Sequence, residues 1–309
     1  MTLHVAIVTD DRAGGWHGKR LRRAFLAGGA EAGFFSLRDC RIDLTHGCCG
    51  LAIPGFEQRL PDGVFVRGVA GGSFEQVVLR LDVLHALREL GIPVYNDARA
   101  IERTVDKGMT SFLLARAGLP TPPTCVAETP AQARAFLLRE TAAGHSVVVK
   151  PLFGSQGVGV RRLEAGADIP AASECNGVWY LQRYVETGAA DGGWHDWRVF
   201  IIAGVAVAAM VRRGATWVNN VARGGRCETA ALDQDLERLA VRACDAVGAD
   251  YAGVDLVRDR DGRPHVLEVN GVPAWKGLQG VTRLDIAERL VDDFLSRRVA
   301  RPSAAARSG

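Results

Sequence analysis

Tyr251-Ala252-Gly253-Val254-Asp255-Leu256-Val257, then Arg258-Asp259-Arg260-Asp261-Gly262-Arg263, then His265-Val266-Leu267-Glu268-Val269-Asn270: the reading of this stretch decides the fold. Two apolar runs flank an Asp-Gly pair, and both of those residues tolerate positive φ, so the stretch predicts a β-hairpin. With Asp261 and Gly262 as the two turn residues, Asp255 lies opposite Glu268, and opposite residues share a face. Strand alternation adds Asn270 to that face and sends Val254, Leu256, Leu267 and Val269 to the other. Two carboxylates and an amide oxygen then converge within an apolar hairpin. Such oxygen donors suit magnesium, whose coordination is usually completed by phosphates and water. The plain alternative is a solvated face that carries acids by chance.

The whole chain sets the bounds. Its 309 residues are enough for two or three subdomains around sizeable cores. A hydrophobic content of 48% with 24% charged residues is that of a globular protein. The net charge of +3 is too small to argue for nucleic acid. Seven cysteines without a Cys-x-x-Cys argue against a disulfide framework and a structural zinc site. The pair Cys48-Cys49 near His46 reads as free thiols. Leu3 to Val8 reads as a strand rather than a signal peptide, and the apolar run Val199 to Met210 is too short to span a membrane. A cytoplasmic protein is expected, with no membrane partner and room for a homo-oligomer.

In chain order, residues 1–96 read as a small α/β domain. A strand at Leu3–Thr9 precedes a helix around Gly18–Gly29, short strands near Phe34–Leu37 and Gly63–Arg67, and a helix at Phe74–Leu90. That last helix presents Val77, Val78, Leu81, Leu84 and Leu87 as one apolar face. Arg12-Ala13-Gly14-Gly15 does not match the dinucleotide fingerprint, which counts against a dehydrogenase. Residues 97–186 form a second unit of helices and strands, including the lysine-ended strand before Pro151 and the strand from Val178. Residues 187–300 form a third, with the long strands near Val199 and Val205, a helix at Gln234–Gly248, the hairpin and a last helix at Leu284–Leu295. Thr282 and Asp285 resemble a capping box at that last helix. Residues 301–309 read as a disordered tail.

Several residues outside the hairpin carry chemistry. Gly154-Ser155-Gln156-Gly157 lets the backbone approach phosphate oxygens closely, although the loop is not a Walker A motif. Lys150 ends an apolar strand and needs an anionic partner, for which nucleotide phosphate is suitable. Gln182 offers polar groups suited to an adenine edge. Arg198, Arg212, Asn220 and Arg223 form a polar set able to clamp carboxylates and stabilise a transferring phosphoryl group.

Taken together these residues resemble the ATP-grasp superfamily, and within it the RimK-like glutamate ligases. The likeness rests on Lys150-Pro151 with its glycine loop, Leu181-Gln-Arg-Tyr-Val-Glu186, Asp196-x-Arg198, Ala209-Met-Val-Arg-Arg213, Asn220-x-x-Arg-Gly-Gly225, Ala252-Gly-Val-Asp255 and Leu267-Glu-Val-Asn270. These motifs keep the family's order and cover roughly residues 97 to 297. The resemblance implies an α/β and α+β fold of three subdomains, an N-terminal α/β domain followed by the two ATP-grasp subdomains, with ATP between those two. It implies that Lys107 and Lys150 contact phosphates and that Gln182, Arg183 and Tyr184 contact adenine. Asp196 would sit at the nucleotide or substrate edge. Asp255, Glu268 and Asn270 would hold Mg2+ or Mn2+, and Arg198, Arg212, Asn220 and Arg223 would face the substrate and an acyl phosphate.

The activity so implied is an ATP-dependent carboxylate–amine ligase of the ADP-forming kind. It would add L-glutamate to a small cofactor, such as a tetrahydromethanopterin-type pterin, or to a peptide carboxylate. Alternatives are a ligase for another amino acid or an amino-group carrier protein, and a nucleotide-binding regulator without turnover. The chain departs from the family after Asn270, where it reads Gly271-Val-Pro-Ala-Trp275-Lys-Gly-Leu-Gln279 in place of Ser-Pro-Gly-type residues. That segment and the N-terminal domain are the places where substrate choice is least readable.

Overall fold

The computed structural model describes residues 2–11, 13–45, 47–154, 157–187, 193–218 and 224–299, the Arg298 side chain excepted. The tail expected at 301–309 lies outside them. Two compact units emerge, one of residues 1–101, 272–279 and 283 onward, the other of 102–271 and 280–282.

The first unit begins with β1 (Leu3–Val8), α1 (Gly15–Ala27) and β2 (Ala30–Phe35). A short antiparallel pair follows, β3 (Arg41–Ile42) with β4 (Leu51–Ala52), then β5 (Gly63–Val66), α2 (Phe74–Glu89), β6 (Val94–Tyr95) and the first half of α3 (Ala98–Val105), whose residues from 102 belong to the second unit. Four strands form one parallel sheet in the order β2-β1-β5-β6. Val5 to Val8 is an unbroken buried run, as a parallel strand covered on both faces requires. The start of α2 carries a full capping box between Ser73 and Gln76. Its expected apolar stripe is realised only in part: Val83, Leu84 and Leu87 are buried, whereas Val78 is exposed. The buried Arg80 sets the helix face, since its Nη1 donates to the carbonyls of Ala70 and Gly71 at 3.0 and 2.9 Å.

The second unit contains two sheets. Its elements are α4 (Lys107–Arg116), β7 (Thr124–Ala127), α5 (Pro130–Ala142), β8 (Val147–Lys150), β9 (Arg161–Leu163) and β10 (Trp179–Arg183), then β11 (Trp194–Ile202) and β12 (Val205–Gly214). They continue with β13 (Arg226–Thr229), α6 (Gln234–Val247), β14 (Tyr251–Arg258) and β15 (Pro264–Asn270). One sheet has the order β7-β10-β8-β9, the other β13-β12-β11-β14-β15, each antiparallel throughout. Thr129 caps α5 by accepting from the Gln132 amide, as its sequence position predicts. Asp233 caps α6 and Gly248 ends it in the left-handed conformation at φ 75°. Leu236, Leu239, Ala240, Ala243 and Val247 of α6 pack under Val199, Ile201, Val254, Leu256, Val266 and Val269.

The hairpin is built differently from the expected two-residue turn. Arg258 pairs with Pro264, so five residues form the loop. Asp259 organises it, its Oδ1 accepting from the amides of Asp261 and Arg263 at 3.0 and 2.9 Å. The register shifts between Asp255 and Leu256, where Leu256 faces Val266 while Asp255 faces Glu268. Leu267 is the extra residue of this bulge. It is half-buried, and Val266 takes the core position expected for Leu267.

After β15 the chain returns to the first unit through α7 (Lys276–Gln279) and α8 (Ile286–Asp293). Asp285 is itself the N-cap of α8, accepting from the amides of Ala287 and Glu288 at 3.0 and 3.3 Å. The capping box read at Thr282 is therefore three residues too early. Phe294 joins Phe25, Phe65 and Tyr95 in an aromatic cluster, and Tyr95 Oη donates to Asp293 Oδ2 at 2.8 Å. Among the described residues no helix is long and apolar enough to cross a membrane. All seven cysteines are free.

Candidate functional site

The polar face of the five-stranded sheet begins at the bulge. Asp255 faces Glu268, and Gly253 faces Asn270 two pairs on, on the same side of the sheet. Asn270 Nδ2 donates to Glu268 Oε1 at 3.1 Å and to the Gly253 carbonyl at 3.3 Å, which leaves its Oδ1 as an acceptor. The three oxygen-bearing residues read from the sequence are thus brought to one place.

Strand pairing carries that face across to β11 and β12. Arg198 is opposite Asp255, and Asp196 is opposite Arg212. Arg198 grips Asp255 with both teeth of its fork, Nε to Oδ1 at 2.7 Å and Nη2 to Oδ2 at 2.6 Å. Arg212 Nη2 lies 3.0 Å from the same Oδ2. Arg212 is also paired with both oxygens of Asp196. Burial opposes ionisation of Asp255, but the two guanidinium groups outweigh it and hold the carboxyl well below its usual range. For Asp196 burial wins over the pull of Arg212 and pushes its carboxyl up to about 6. The same acids raise the pKa of Arg212 against its own burial.

Two lysines of the same unit add positive charge, one from α4 and one from the other sheet. Lys107 opens α4, where Asp106 is the N-cap, and its Nζ donates to the Gly154 and Leu152 carbonyls at 2.7 and 3.4 Å. Lys150 ends β8, as read from the sequence, and its Nζ donates to Gln182 Oε1 at 2.8 Å. Burial lowers the pKa of both lysines, against the attraction of Glu268, and Lys107 lowers Lys150 further. Four cations (Lys107, Lys150, Arg198 and Arg212) therefore meet three carboxylates (Asp196, Asp255 and Glu268). The surplus of positive charge suits a polyanion.

Glycine conformations keep the loop after Lys150 open to close approach. Gly154, Gly157 and Gly159 have φ of 151°, 69° and 72°, which side-chain-bearing residues rarely adopt. Ser155 and Gln156 lie outside the described residues, as do Asn220 and Arg223.

Three sequence-derived assignments meet different surroundings. Gln182 is buried and occupied within the protein: besides holding Lys150, its Nε2 donates to Tyr180 Oη at 3.0 Å and to Thr124 Oγ1 at 3.1 Å. Arg183 points to α5, where its Nε donates to Glu140 Oε2 at 2.7 Å. Tyr184 is half-buried, with the Arg162 guanidinium 3.9 Å over its ring and Trp217 edge-on at 5.7 Å. The supporting residues Ser111, Thr124 and Tyr180 were missed in the sequence, although Tyr180 and Gln182 share a face by simple alternation. Ser111 Oγ and Tyr180 Oη are 2.8 Å apart, extending the buried polar chain behind Lys150. Cys227, on β13 opposite Arg212, was also missed, and burial pushes its thiol up.

The chemistry of the oxygen donors suits a divalent cation, although Arg198 engages both Asp255 oxygens in this structure. Among the described residues no group of three or more His, Cys, Asp or Glu is placed to hold a metal by itself. Asp255, Glu268 and the Asn270 amide oxygen would hold magnesium together with oxygens from a bound phosphate, the usual division of labour for that ion.

A family model for the RimK-like ATP-grasp domain matches residues 104–294. The tetrahydromethanopterin:alpha-L-glutamate ligase of Methanocaldococcus jannaschii is 35% identical over 242 residues, which is 76% of this chain and 79% of that protein. Among solved structures, the ATP-grasp ligase PsnB in complex with a phosphomimetic variant of minimal precursor, Mg and ADP superposes with a TM-score of 0.69 at 23% identity, covering 97% of this chain and 99% of that one. The D-cycloserine synthetase DcsG superposes with a TM-score of 0.71 at 23% identity, covering 95% and 99%.

Proposed function

The chain belongs to the RimK-like ATP-grasp family, the ADP-forming carbon–nitrogen ligases, and from that premise we propose that it joins L-glutamate to the carboxylate of a small cofactor or peptide. The observation that carries this reading is the meeting of Lys107 and Lys150 with Asp255, Glu268 and Asn270 in one unit. Glutamate as the amine, and a pterin as one acceptor, draw support from the archaeal relative's name. A peptide acceptor draws support from the precursor peptide in complex with PsnB. A cytoplasmic, reducing setting suits seven free thiols.

The acceptor carboxylate attacks the γ-phosphorus of ATP, ADP leaves, and an acyl phosphate forms. The glutamate amine then attacks the acyl carbon, the amide forms and phosphate leaves. Lys107 and Lys150 offset phosphate charge from the side of the glycine loop, with Lys150 oriented by Gln182. Asp255, Glu268 and Asn270 would hold a magnesium ion, which would supply neutralisation of the phosphate oxygens when bound. Arg212, anchored on Asp196, presents its guanidinium to the charge that develops in transfer. Asn220 and Arg223 enter this scheme on the family resemblance alone. Tyr184 and Arg162 offer a flat, cationic surface suited to a nucleobase or another aromatic ring.

Purified protein with Mg·ATP, L-glutamate and a panel of carboxylates, pterins and acidic peptides included, is expected to release ADP and phosphate in step with amide. Tight ATP binding without turnover on any pair would instead identify a nucleotide-binding regulator.

A further inference from the structure

Asp255 has two claims on it. As a magnesium ligand it must offer an oxygen lone pair to the ion, yet both of its oxygens are already engaged by Arg198, and Oδ2 also lies 3.0 Å from Arg212. A carboxylate has about four lone-pair sites, and three guanidinium contacts leave little room for a cation that tolerates only tight octahedral geometry. Magnesium and guanidinium also repel each other.

The two arginines are not equivalent in this contest. Arg212 keeps a second anchor, since its fork is paired with both oxygens of Asp196. Among the described residues Arg198 has no carboxylate partner except Asp255. Loss of Asp255 would thus leave Arg212 tethered and Arg198 with its donors unsatisfied. The Arg198 side chain is 13% exposed, against 6% for Arg212. A desolvated, planar fork without its anion is a strong site for another carboxylate.

We propose that Arg198 is the acceptor-carboxylate fork of this enzyme, held in reserve on Asp255 and released when Asp255 turns to the divalent cation. The inference rests on the ligase reading above, and it adds an order to it: the cation precedes the acceptor. Arg198 cannot draw a substrate carboxylate into the site before the metal and nucleotide are in place. By linkage, an anion on Arg198 must in turn strengthen cation binding at Asp255.

The exchange is readable without turnover. Phenylglyoxal, an arginine-selective dicarbonyl, is applied to the full chain with ADP and EDTA, or with ADP and saturating magnesium, and the labelled arginines are located by peptide mass spectrometry. ADP is chosen because it lacks the γ-phosphate that would otherwise occupy the freed fork. Arg198 labelling is expected to rise about tenfold with magnesium, within the ~5–150-fold span of such couplings. Arg212 labelling is expected to stay low in both conditions. In Asp255→Asn, Arg198 should be labelled at the high level with or without magnesium. Calorimetric binding of Mg·ADP with Arg198 still protected would overturn the inference alone, as would a protected Arg198 in Asp255→Asn. Failure of Mg·ADP to bind at all would remove the ligase reading and this inference with it.

Discussion

Gln182→Met separates two roles for one side chain, a reader of adenine or a support for Lys150. The Gln182 amide is buried at 2% exposure and makes three hydrogen bonds, from Lys150 Nζ at 2.8 Å and to Thr124 Oγ1 and Tyr180 Oη at 3.1 and 3.0 Å. Methionine has similar length and fills the space, so the loss is almost wholly polar. A hydrogen bond to a charged group contributes roughly 1.5–3 kcal/mol, and each neutral one roughly 0.5–1.5 kcal/mol. Tyr180 keeps Ser111 and Thr124 keeps the Pro122 carbonyl, so the neutral losses fall at the low end. The expected destabilisation is about 3 kcal/mol, read as a shift in denaturant midpoint without a change in slope. If Gln182 acts through Lys150, affinity for ATP, GTP and inorganic tripolyphosphate falls together, by about tenfold or ~1.4 kcal/mol. Titration calorimetry with the three ligands checks it. Unchanged tripolyphosphate affinity with lost discrimination between ATP and GTP would refute the support role and return Gln182 to the base.

Four further predictions follow the geometry. Glu268→Gln is expected to cut magnesium-dependent ADP release more than a hundredfold with little change in melting temperature. Asp255→Asn should lose activity equally and also destabilise by about 3 kcal/mol, because two buried guanidinium groups lose their shared anion; equal melting of the two variants would contradict that pairing. Arg183→Met removes a partner of the buried Glu140 and should cost about 1–2 kcal/mol of stability with unchanged ATP affinity, so weakened ATP binding would place Arg183 back at the nucleotide. His17 accepts from the Trp275 amide at 3.1 Å, and burial, with Arg67 and Lys276 beside it, lowers its pKa to about 4. The unfolded chain takes up that proton near pH 6.5, so the stability from neutral His17 is full above 6.5 and is lost as pH falls towards 4. After allowance for partial exposure this is ~1–2 kcal/mol, and His17→Gln should flatten the fall of melting temperature across that window; an identical pH profile would refute the assignment.

What was legible in the sequence is what local chemistry imposes. Lys150 at the end of an apolar strand, the Thr129 cap and the glycine loop are readable because each expresses a constraint within a few residues. The roles of Gln182, Arg183 and Asp196 are not, since they depend on which neighbour an adjacent strand or helix supplies. Arg183 follows Gln182 by one residue, and one step along a strand turns a side chain from Lys150 on one face to Glu140 on the other. β13 was unread because Arg226-Cys-Glu-Thr229 is a short polar edge strand without alternation. The segment after Asn270, read as a departure from the family where substrate choice is least readable, belongs over 272–279 to the first unit, where Trp275 is fully buried and Arg67 lies 5.0 Å over its ring. Its divergence from the family therefore follows the N-terminal unit, which is where substrate choice was hardest to read.

The hairpin shows how a residue pairing can be read correctly through an incorrect turn. The two-residue Asp261-Gly262 turn predicted Asp255 opposite Glu268, and the five-residue loop by itself would place Leu267 there. The bulge at Leu267 restores the pairing by adding one residue to β15. Without it every side chain from Leu267 onward would change face, sending Glu268 and Asn270 into the apolar layer beneath α6. Burial of two such groups there would cost far more than the one ladder interruption a bulge entails. The bulge is thus the local feature on which the metal-binding reading depends, and it adjoins the residue whose carboxylate Arg198 holds. Deleting Leu267 tests this directly. The deletion removes the bulge and leaves Asp255 opposite Glu268 in a plain ladder, so the variant should retain the five-residue loop and magnesium-dependent nucleotide binding. A folded deletion variant that no longer binds Mg·ADP would show that the register is set elsewhere.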